Sequence, residues 1–369
     1  MMNNKKIRAI GAGVLVTLWL LLTGFAWFAP PKEMSDSERR PLDQMPEISA
    51  ETLLNGKFMG AFEDYTLDQF PLRDTFRQLK SLFHYYVMQY KDNNDIYVAD
   101  GYAAKLEYPL NQSSLDHALM RFNYVYDTYL KDTGSRLFMS VIPDKGYYLG
   151  EENGYLTMDY KAMMEAFRQG MPWATHVDIT GTLNKESYYF TDTHWRQETL
   201  LNAAQTLCAA LGTTPFDPNS LTQTALERPF YGVYYGQAAL PMEPETLYIL
   251  ENELLSQCRV LDHETGLYTD VYNMDMLTSK DLYDVFLSGA KSLLTIENPN
   301  AATDRELIVF RDSFGSSMVP LLVRDYAKVT LVDIRYLSSQ LLGRFLEFNG
   351  QDVLFLYSTL VLNNSTTIK

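Results

Sequence analysis

The chain has 369 residues, enough for one large core or two smaller ones, with 46% hydrophobic and 21% charged residues. Those proportions are ordinary for a globular protein, and the formal net charge of −15 argues against nucleic acid or an anionic polymer as a tightly held partner. Tyrosine is abundant, with 26 residues, which suits either a sugar-binding cleft or simply a tyrosine-rich core and surface.

Ala9 to Ala29 is an apolar run broken only by Gly and Thr, and it follows Lys5, Lys6 and Arg8. About 20 apolar residues suffice to cross a bilayer. Trp27 suits the outer interface, whereas Trp19 falls mid-span and carries no such signal. Phe25-Ala-Trp-Phe-Ala-Pro-Pro is a poor cleavage site, so the run predicts a retained signal anchor over residues 9–29. The basic flank puts residues 1–8 in the cytoplasm and the rest outside, in a cell membrane crossed once. Residues 30–55 begin polar and proline-rich and read as an extracytoplasmic stalk. Residues 56–369 are then the folded domain.

Helical spacing runs from Gly56 to Tyr90, interrupted by Phe70-Pro-Leu-Arg-Asp74 as a turn with an Asp cap. Asn93 to Tyr102 reads as a hairpin around Asp100-Gly101. Ser114 is placed to cap a helix whose Leu115, Leu119, Phe122, Tyr126 and Tyr129 share one face. Arg136 to Ile142 reads as a strand stopped by Pro143, residues 157–170 as a helix, and Thr175 to Thr180 as a strand. After Tyr188-Tyr-Phe-Thr-Asp-Thr-His-Trp195 a helix runs to Gly212, a natural stop. Cys208 lies on its apolar side, so a buried free thiol and a pairing with Cys258 are both open. Residues 213–300 are mixed in pattern and read as an insertion with a hairpin near Phe230 to Gly236. Leu307–Phe310 and Val329–Ile334 are apolar runs flanking a helical stretch, and Ser338–Phe348 predicts a helix before a last strand, Val353–Tyr357. Strands alternating with helices predict an α/β fold with a mostly parallel sheet flanked by helices.

Ser313 stands where strand gives way to helix, a corner from which a hydroxyl can project at the end of a sheet. A serine hydroxyl needs a base, and histidine suits that near neutral pH when a carboxylate holds its other nitrogen. Of five histidines, His194 has Asp192 two residues before it and a helix just after it, in the region where α/β sheets carry their sites. Each signal alone has a plain structural reading: Asp192 or Thr193 as helix cap with His194 as a first-turn surface residue, and Asp312 or Ser313 as helix cap. Lys145, just after a strand end, either faces this site or is a solvated loop lysine. Arg335, after another strand, either binds substrate or pairs with an acidic neighbour. There is no HExxH, no His cluster, no Cys-x-x-Cys and no Gly-rich phosphate loop, so neither metal nor cofactor is expected.

Tyr189-Phe-Thr-Asp192-Thr-His194-Trp195 followed later by Arg311-Asp-Ser313-Phe-Gly315 resembles the DHHW proteins of Gram-positive bacteria. These in turn resemble the SGNH-hydrolase-like extracytoplasmic subunits of alginate O-acetyltransferase systems. Ser37-Glu-Arg-Arg-Pro-Leu, Phe62 to Asp74, Ile142-Pro-Asp-Lys145, Phe230-Tyr-Gly and Val332-Asp-Ile-Arg-Tyr336 extend the resemblance over residues 35–358. It implies Ser313 as nucleophile, His194 as general base and Asp192 as its orienter. It also implies a multi-pass membrane acyltransferase partner that supplies acetyl groups, and a surface polysaccharide as acceptor. Ser313 N–H and the helix beginning near Phe314 would supply part of an oxyanion hole. Arg311 stands where many SGNH enzymes have Gly, and Thr193 where the family name has a second His. The serine follows the histidine motif, an order that fits the acetyltransferase branch. The rival readings are an acetyl esterase with the same residues and a non-catalytic glycan-binding or assembly subunit.

Overall fold

Alternation in one strand sets the frame. In Glu306–Arg311, Leu307 and Val309 face one hydrophobic core while Ile308 and Phe310 face another. The adjacent strand Asp352–Ser358 repeats this, with Leu354 and Leu356 on the first side and Val353, Phe355 and Tyr357 on the second. A strand buried on both faces needs apolar residues at every position, which is why these runs read as continuous rather than alternating. The computed structural model describes residues 4–35 and 37–369.

The chain divides into two compact units: the described residues up to Lys91 with Ala239–Pro241, and Asp92–Ala238 with Met242–Lys369. The second holds an eight-stranded sheet. From one edge its order is Leu267–Asp270, Arg259–Asp262, Leu293–Glu297, Lys328–Val332, Glu306–Arg311, Asp352–Ser358, Leu137–Ile142 and Thr175–His176. The last five run parallel to one another and the first three pair antiparallel. Gln112–Val125 and Tyr160–Gly170 cover one face through Leu115, Phe122, Met163 and Phe167, and Leu201–Leu211 covers the other through Ala204, Leu207 and Leu211. This is the expected α/β architecture, a mostly parallel sheet flanked by helices. Cys208 and Cys258 are free and buried.

Several local expectations are corrected. Asn111, not Ser114, caps the helix Gln112–Val125; Ser114 is buried and its Oγ donates to the Leu362 carbonyl at 2.9 Å. The segment after Phe230 is the helix Val233–Ala238 rather than a hairpin, because Tyr234 and Tyr235 turn their N–H groups onto the Thr191 carbonyl. The helix after Ser313 is short, Gly315–Met318, and continues as a 3-10 turn over Val319–Leu322, where Pro320 has no N–H to give. Ser339–Arg344 is a 3-10 turn where a helix was expected, and the strand at residue 175 ends at His176. Strands Arg259–Asp262, Leu267–Asp270 and Leu293–Glu297, from the stretch read as an insertion, extend the main sheet.

In the first unit, Lys57–Asp68 and Arg73–Leu82 are helical as their periodicity predicts. Asp74 is in the first turn of the second helix, whose cap position is Leu72 in the left-handed region, φ 56°. Arg40 grips Asp68 at 2.6 Å. The helix Asn4–Phe28 includes Arg8–Phe28, long and apolar enough to cross a membrane. Of the eight residues expected in the cytoplasm, the first three lie outside the described residues, as does Asp36 in the stalk.

Candidate active site

Ser313 follows the strand Glu306–Arg311 at its C-terminal end. The preceding Asp312 is wholly buried and shapes the corner: its Oδ1 accepts the Phe314 N–H at 3.0 Å and its Oδ2 the Ser358 N–H at 2.7 Å, from the end of the neighbouring strand. Gly315 is required by the tightness of this turn, because a Cβ there would stand 2.8 Å from Cβ of Arg311. Phe314 N–H is taken by Asp312, as is Gly315 N–H, and Ser316 N–H bonds the Ser313 carbonyl. That leaves the N–H of Ser313 itself without an intramolecular acceptor among the described residues.

Asp192 and His194 sit on an irregular segment closed at its base by a bridge between Tyr188 and Trp195. The His194 Nδ1 lies 2.6 Å from Asp192 Oδ1, and its Nε2 lies 2.8 Å from Ser313 Oγ, across 119 residues of sequence. Asp192 is fully buried and His194 is 7% exposed, while Ser313 is half-buried. Asp192 is held in turn by the N–H of Val233 on Oδ2 at 2.8 Å. Gly232 permits that approach: a Cβ there would come within 2.3 Å of the Asp192 backbone. Trp195, buried, donates its indole N–H toward the Phe314 carbonyl and Ser317 Oγ at 3.1 and 2.9 Å, tying the histidine segment to the turn after Ser313. A carboxylate on Nδ1–H leaves Nε2 as the acceptor for a hydroxyl proton, which is the arrangement that makes a serine nucleophilic.

Residues 176–332 match the DHHW protein family. The matched region contains Asp192, His194 and Ser313. The fold is shared with a DHHW family protein from Eubacterium siraeum (TM-score 0.60, 19% identity, 75% of this chain and 95% of that one). It is shared also with Bacillus cereus PatB1 (TM-score 0.57, 16% identity, 72% and 96%). Curated proteins give no significant match.

Lys145 lies outside the matched residues 176–332 and does not face solvent. It is 2% exposed, and its ammonium donates to the carbonyls of Tyr189, Asp192 and Phe190 at 2.6, 2.7 and 3.4 Å. Burial pushes it down to about 7, against the pull of Asp192, Glu245 and Asp144. Arg335 pairs with Asp333, Nη2 to Oδ2 at 2.6 Å and Nε to Oδ1 at 2.9 Å. Burial would lower its affinity for a proton, but that pairing raises it. Arg311 is wholly buried; its Nη1 reaches Ser316 Oγ and the Asp312 carbonyl, while Nε and Nη2 have no hydrogen-bond partner among the described residues.

Two residues within the matched stretch escape sequence reading. Tyr283 stacks on the His194 ring, and its hydroxyl lies 2.7 Å from Ser317 Oγ. Glu245 accepts the N–H groups of Phe190 and Thr191 at 2.7 and 2.9 Å and the Thr191 hydroxyl at 3.0 Å. Burial holds its carboxyl above the usual range. Nothing in spacing or composition marks either one; both lie far from residue 192 in the sequence, Tyr283 in the 3-10 turn Leu282–Val285.

Proposed function

We propose that the chain is a membrane-anchored, extracytoplasmic O-acetyltransferase that acetylates a cell-surface polysaccharide through an acetyl-Ser313 intermediate. The observation that carries this is the unbroken chain Asp192–His194–Ser313, with contacts of 2.6 and 2.8 Å, in which Ser313 follows the C-terminal end of a parallel strand. Ser313 Oγ attacks the carbonyl carbon of an acetyl donor, and His194 Nε2 takes its proton. Asp192 holds Nδ1–H and stabilises the imidazolium. The negative charge on the acetyl oxygen meets the N–H of Ser313. His194 returns the proton to the leaving group, and acetyl-Ser313 remains. A glycan hydroxyl then attacks this ester while His194 accepts its proton, which passes to Ser313 Oγ as the acetyl group departs.

PatB1 has been solved with a sulfonyl adduct, and a sulfonyl group bonds covalently to an activated nucleophile, which supports the same reading of Ser313. The helix Arg8–Phe28 supports an anchor, and its basic flank supports a cytoplasmic N-terminus with the domain outside. Such a domain takes its acetyl groups from a donor carried across the membrane by a multi-pass acyltransferase partner. Arg335, partly open at the end of its strand, is the residue proposed to meet the glycan.

The test uses the full chain in detergent, wild type beside Ser313→Ala, with p-nitrophenyl acetate as donor and oligosaccharides as acceptors. Release of p-nitrophenol and an added acetyl mass that vanish in the variant establish the acyl-carrying serine. Acetylated oligosaccharide supports transfer; free acetate at the same rate with and without acceptor supports the esterase reading instead. Equal background in both proteins, with glycan binding retained, supports the non-catalytic reading.

A further inference from the structure

We propose that Lys145 and Glu245 form a positioning pair that clamps the segment carrying Asp192 and His194, the ammonium holding its carbonyls and the carboxylate its N–H groups. This rests on the reading of His194 as the base for Ser313. Residues 189–194 form neither helix nor strand, so their buried backbone groups need partners from elsewhere in the chain. Lys145 takes three carbonyls, those of Tyr189, Phe190 and Asp192, and an ammonium has three protons to give. Glu245 takes the N–H of Phe190 and of Thr191 from the opposite polarity. Opposite charges thus act on one peptide segment, the positive on its oxygens and the negative on its nitrogens. Bonds to ionised groups are stronger than neutral ones, so the charges set how firmly Asp192 and His194 are held.

With all three protons engaged and 2% exposure, Lys145 has nothing to offer a substrate. The groups facing it are the carboxylates of Asp192, Glu245 and Asp144 and the rings of Tyr234 and Tyr102, 5.2 and 5.9 Å away. Glu245 is faced by Lys145, and it acts on Arg196, Tyr189 and Tyr102. The ammonium titrates near 7, so the clamp weakens on the alkaline side of neutrality.

The experiment compares full-length wild type with Lys145→Met, Lys145→Arg and Glu245→Gln in detergent. Two readouts need no acetyl transfer. One is hydrogen exchange at the amides of residues 189–194. The other is the rate at which phenylmethanesulfonyl fluoride labels Ser313: Oγ bonds to sulfur, fluoride leaves and His194 takes the proton. Lys145→Met and Glu245→Gln are expected to exchange on the order of tenfold faster in this segment alone. They are expected to label on the order of tenfold or more slowly, because a displaced base no longer meets the hydroxyl. In turnover assays kcat falls and KM stays within about twofold. Lys145→Arg, which keeps the charge, recovers part of the labelling rate. Wild-type labelling falls as pH rises through 7 to 9 relative to Lys145→Met, in which the lysine titration is gone.

Unchanged exchange and labelling in both neutral variants overturn the proposal. So does a rise in KM with kcat intact, which marks Lys145 as a substrate contact. Exchange raised evenly over the whole domain marks a core residue only. If Lys145→Met does not fold, Glu245→Gln, at a half-buried position and nearly isosteric, decides by the same readouts. If the wild-type serine transfers no acetyl group while segment exchange and labelling respond as stated, the clamp stands and the acetyltransferase reading falls.

Discussion

The imidazole of His194 lies flat on the phenol ring of Tyr283, with centroids 3.9 Å apart and planes 7° from parallel. The Tyr283 hydroxyl sits 2.7 Å from Ser317 Oγ, in the turn that follows Ser313. One side chain therefore spans from the ring of the histidine to the element that carries the serine. It fixes the imidazole plane, which the hydrogen bonds at its two nitrogens leave free to rock. A stacked pair contributes about 0.5–1.5 kcal/mol, a factor of roughly 2 to 13 in the population of the aligned ring.

Tyr283→Phe keeps the ring and loses only the hydroxyl, so kcat for p-nitrophenyl acetate is expected to fall about two- to threefold. Tyr283→Leu keeps bulk but not the stack, and kcat is expected to fall about tenfold or more with KM nearly unchanged. Thermal unfolding of the same proteins separates this from loss of the fold. Equal kcat in all three would show that the stack contributes nothing to the base.

Gly232 and Asp192 are in direct backbone contact, and a methyl group at 232 would fall 2.3 Å from three Asp192 atoms. No rotation of a side chain relieves a clash with backbone. Gly232→Ala is expected to push Asp192 out of line with His194 Nδ1 and to lower kcat about a hundredfold. The strain costs about 1–3 kcal/mol of stability. Full activity in the variant, measured beside a melting curve, would mean that this segment moves freely without harm to the site.

Ser313 and His194 were legible because each stands at a change of hydrophobic period, where an apolar strand run gives way to helical spacing. The two lie 119 residues apart and meet at 2.8 Å because the irregular segment 189–194, held by Lys145 and Glu245 rather than by a strand of its own, carries His194 to the C-terminal end of the serine strand. The sequence could not say which way Lys145 points. A lysine after a strand end is solvated in most folds, and only the three carbonyls of residues 189–192 explain its burial. The alternating tyrosines and glycines of residues 230–236 look like a hairpin by local pattern, but tertiary bonds to Thr191 turn that stretch into a helix. Glu245 acts on Phe190 across 55 residues, and no periodicity records such a contact.

Lys145 also gives a stability prediction whose sign opposes the loosening of the clamp. Its value falls to about 7 in the folded chain from an ordinary 10.5. Between those two the unfolded chain binds the proton and the folded chain does not, so stability rises with pH, at up to about 1.4 kcal/mol per pH unit. Below 7 both states are protonated and the slope vanishes. Urea unfolding at pH 7, 8 and 9 should show the rise in wild type relative to Lys145→Met, in which this component is absent. The same slope in both proteins would place the lysine's titration elsewhere.

Arg311 offers the sharpest contrast between a charge that is buried and one that is paired. Its guanidinium is completely enclosed, Nε and Nη2 have no hydrogen-bond partner among the described residues, and the bonds of Nη1 to Ser316 Oγ and the Asp312 carbonyl are long, 3.2 and 3.3 Å. Burial lowers its proton affinity, and the nearby Asp333 that would restore it is already gripped by Arg335 at 2.6 Å. Replacing a buried, poorly matched ion with an apolar side chain of like length is neutral or stabilising by about 1–4 kcal/mol. Arg311→Met is therefore expected to unfold at the same or a higher urea concentration than wild type. Arg311→Ala, which empties the volume as well, is expected to be less stable by about 2–4 kcal/mol. A loss in the Met variant as large as in the Ala variant would mean that the guanidinium holds Asp333 and Asp312 in place by its charge. Ser313 labelling would then fall in both variants, because Asp312 sets the corner from which the serine projects.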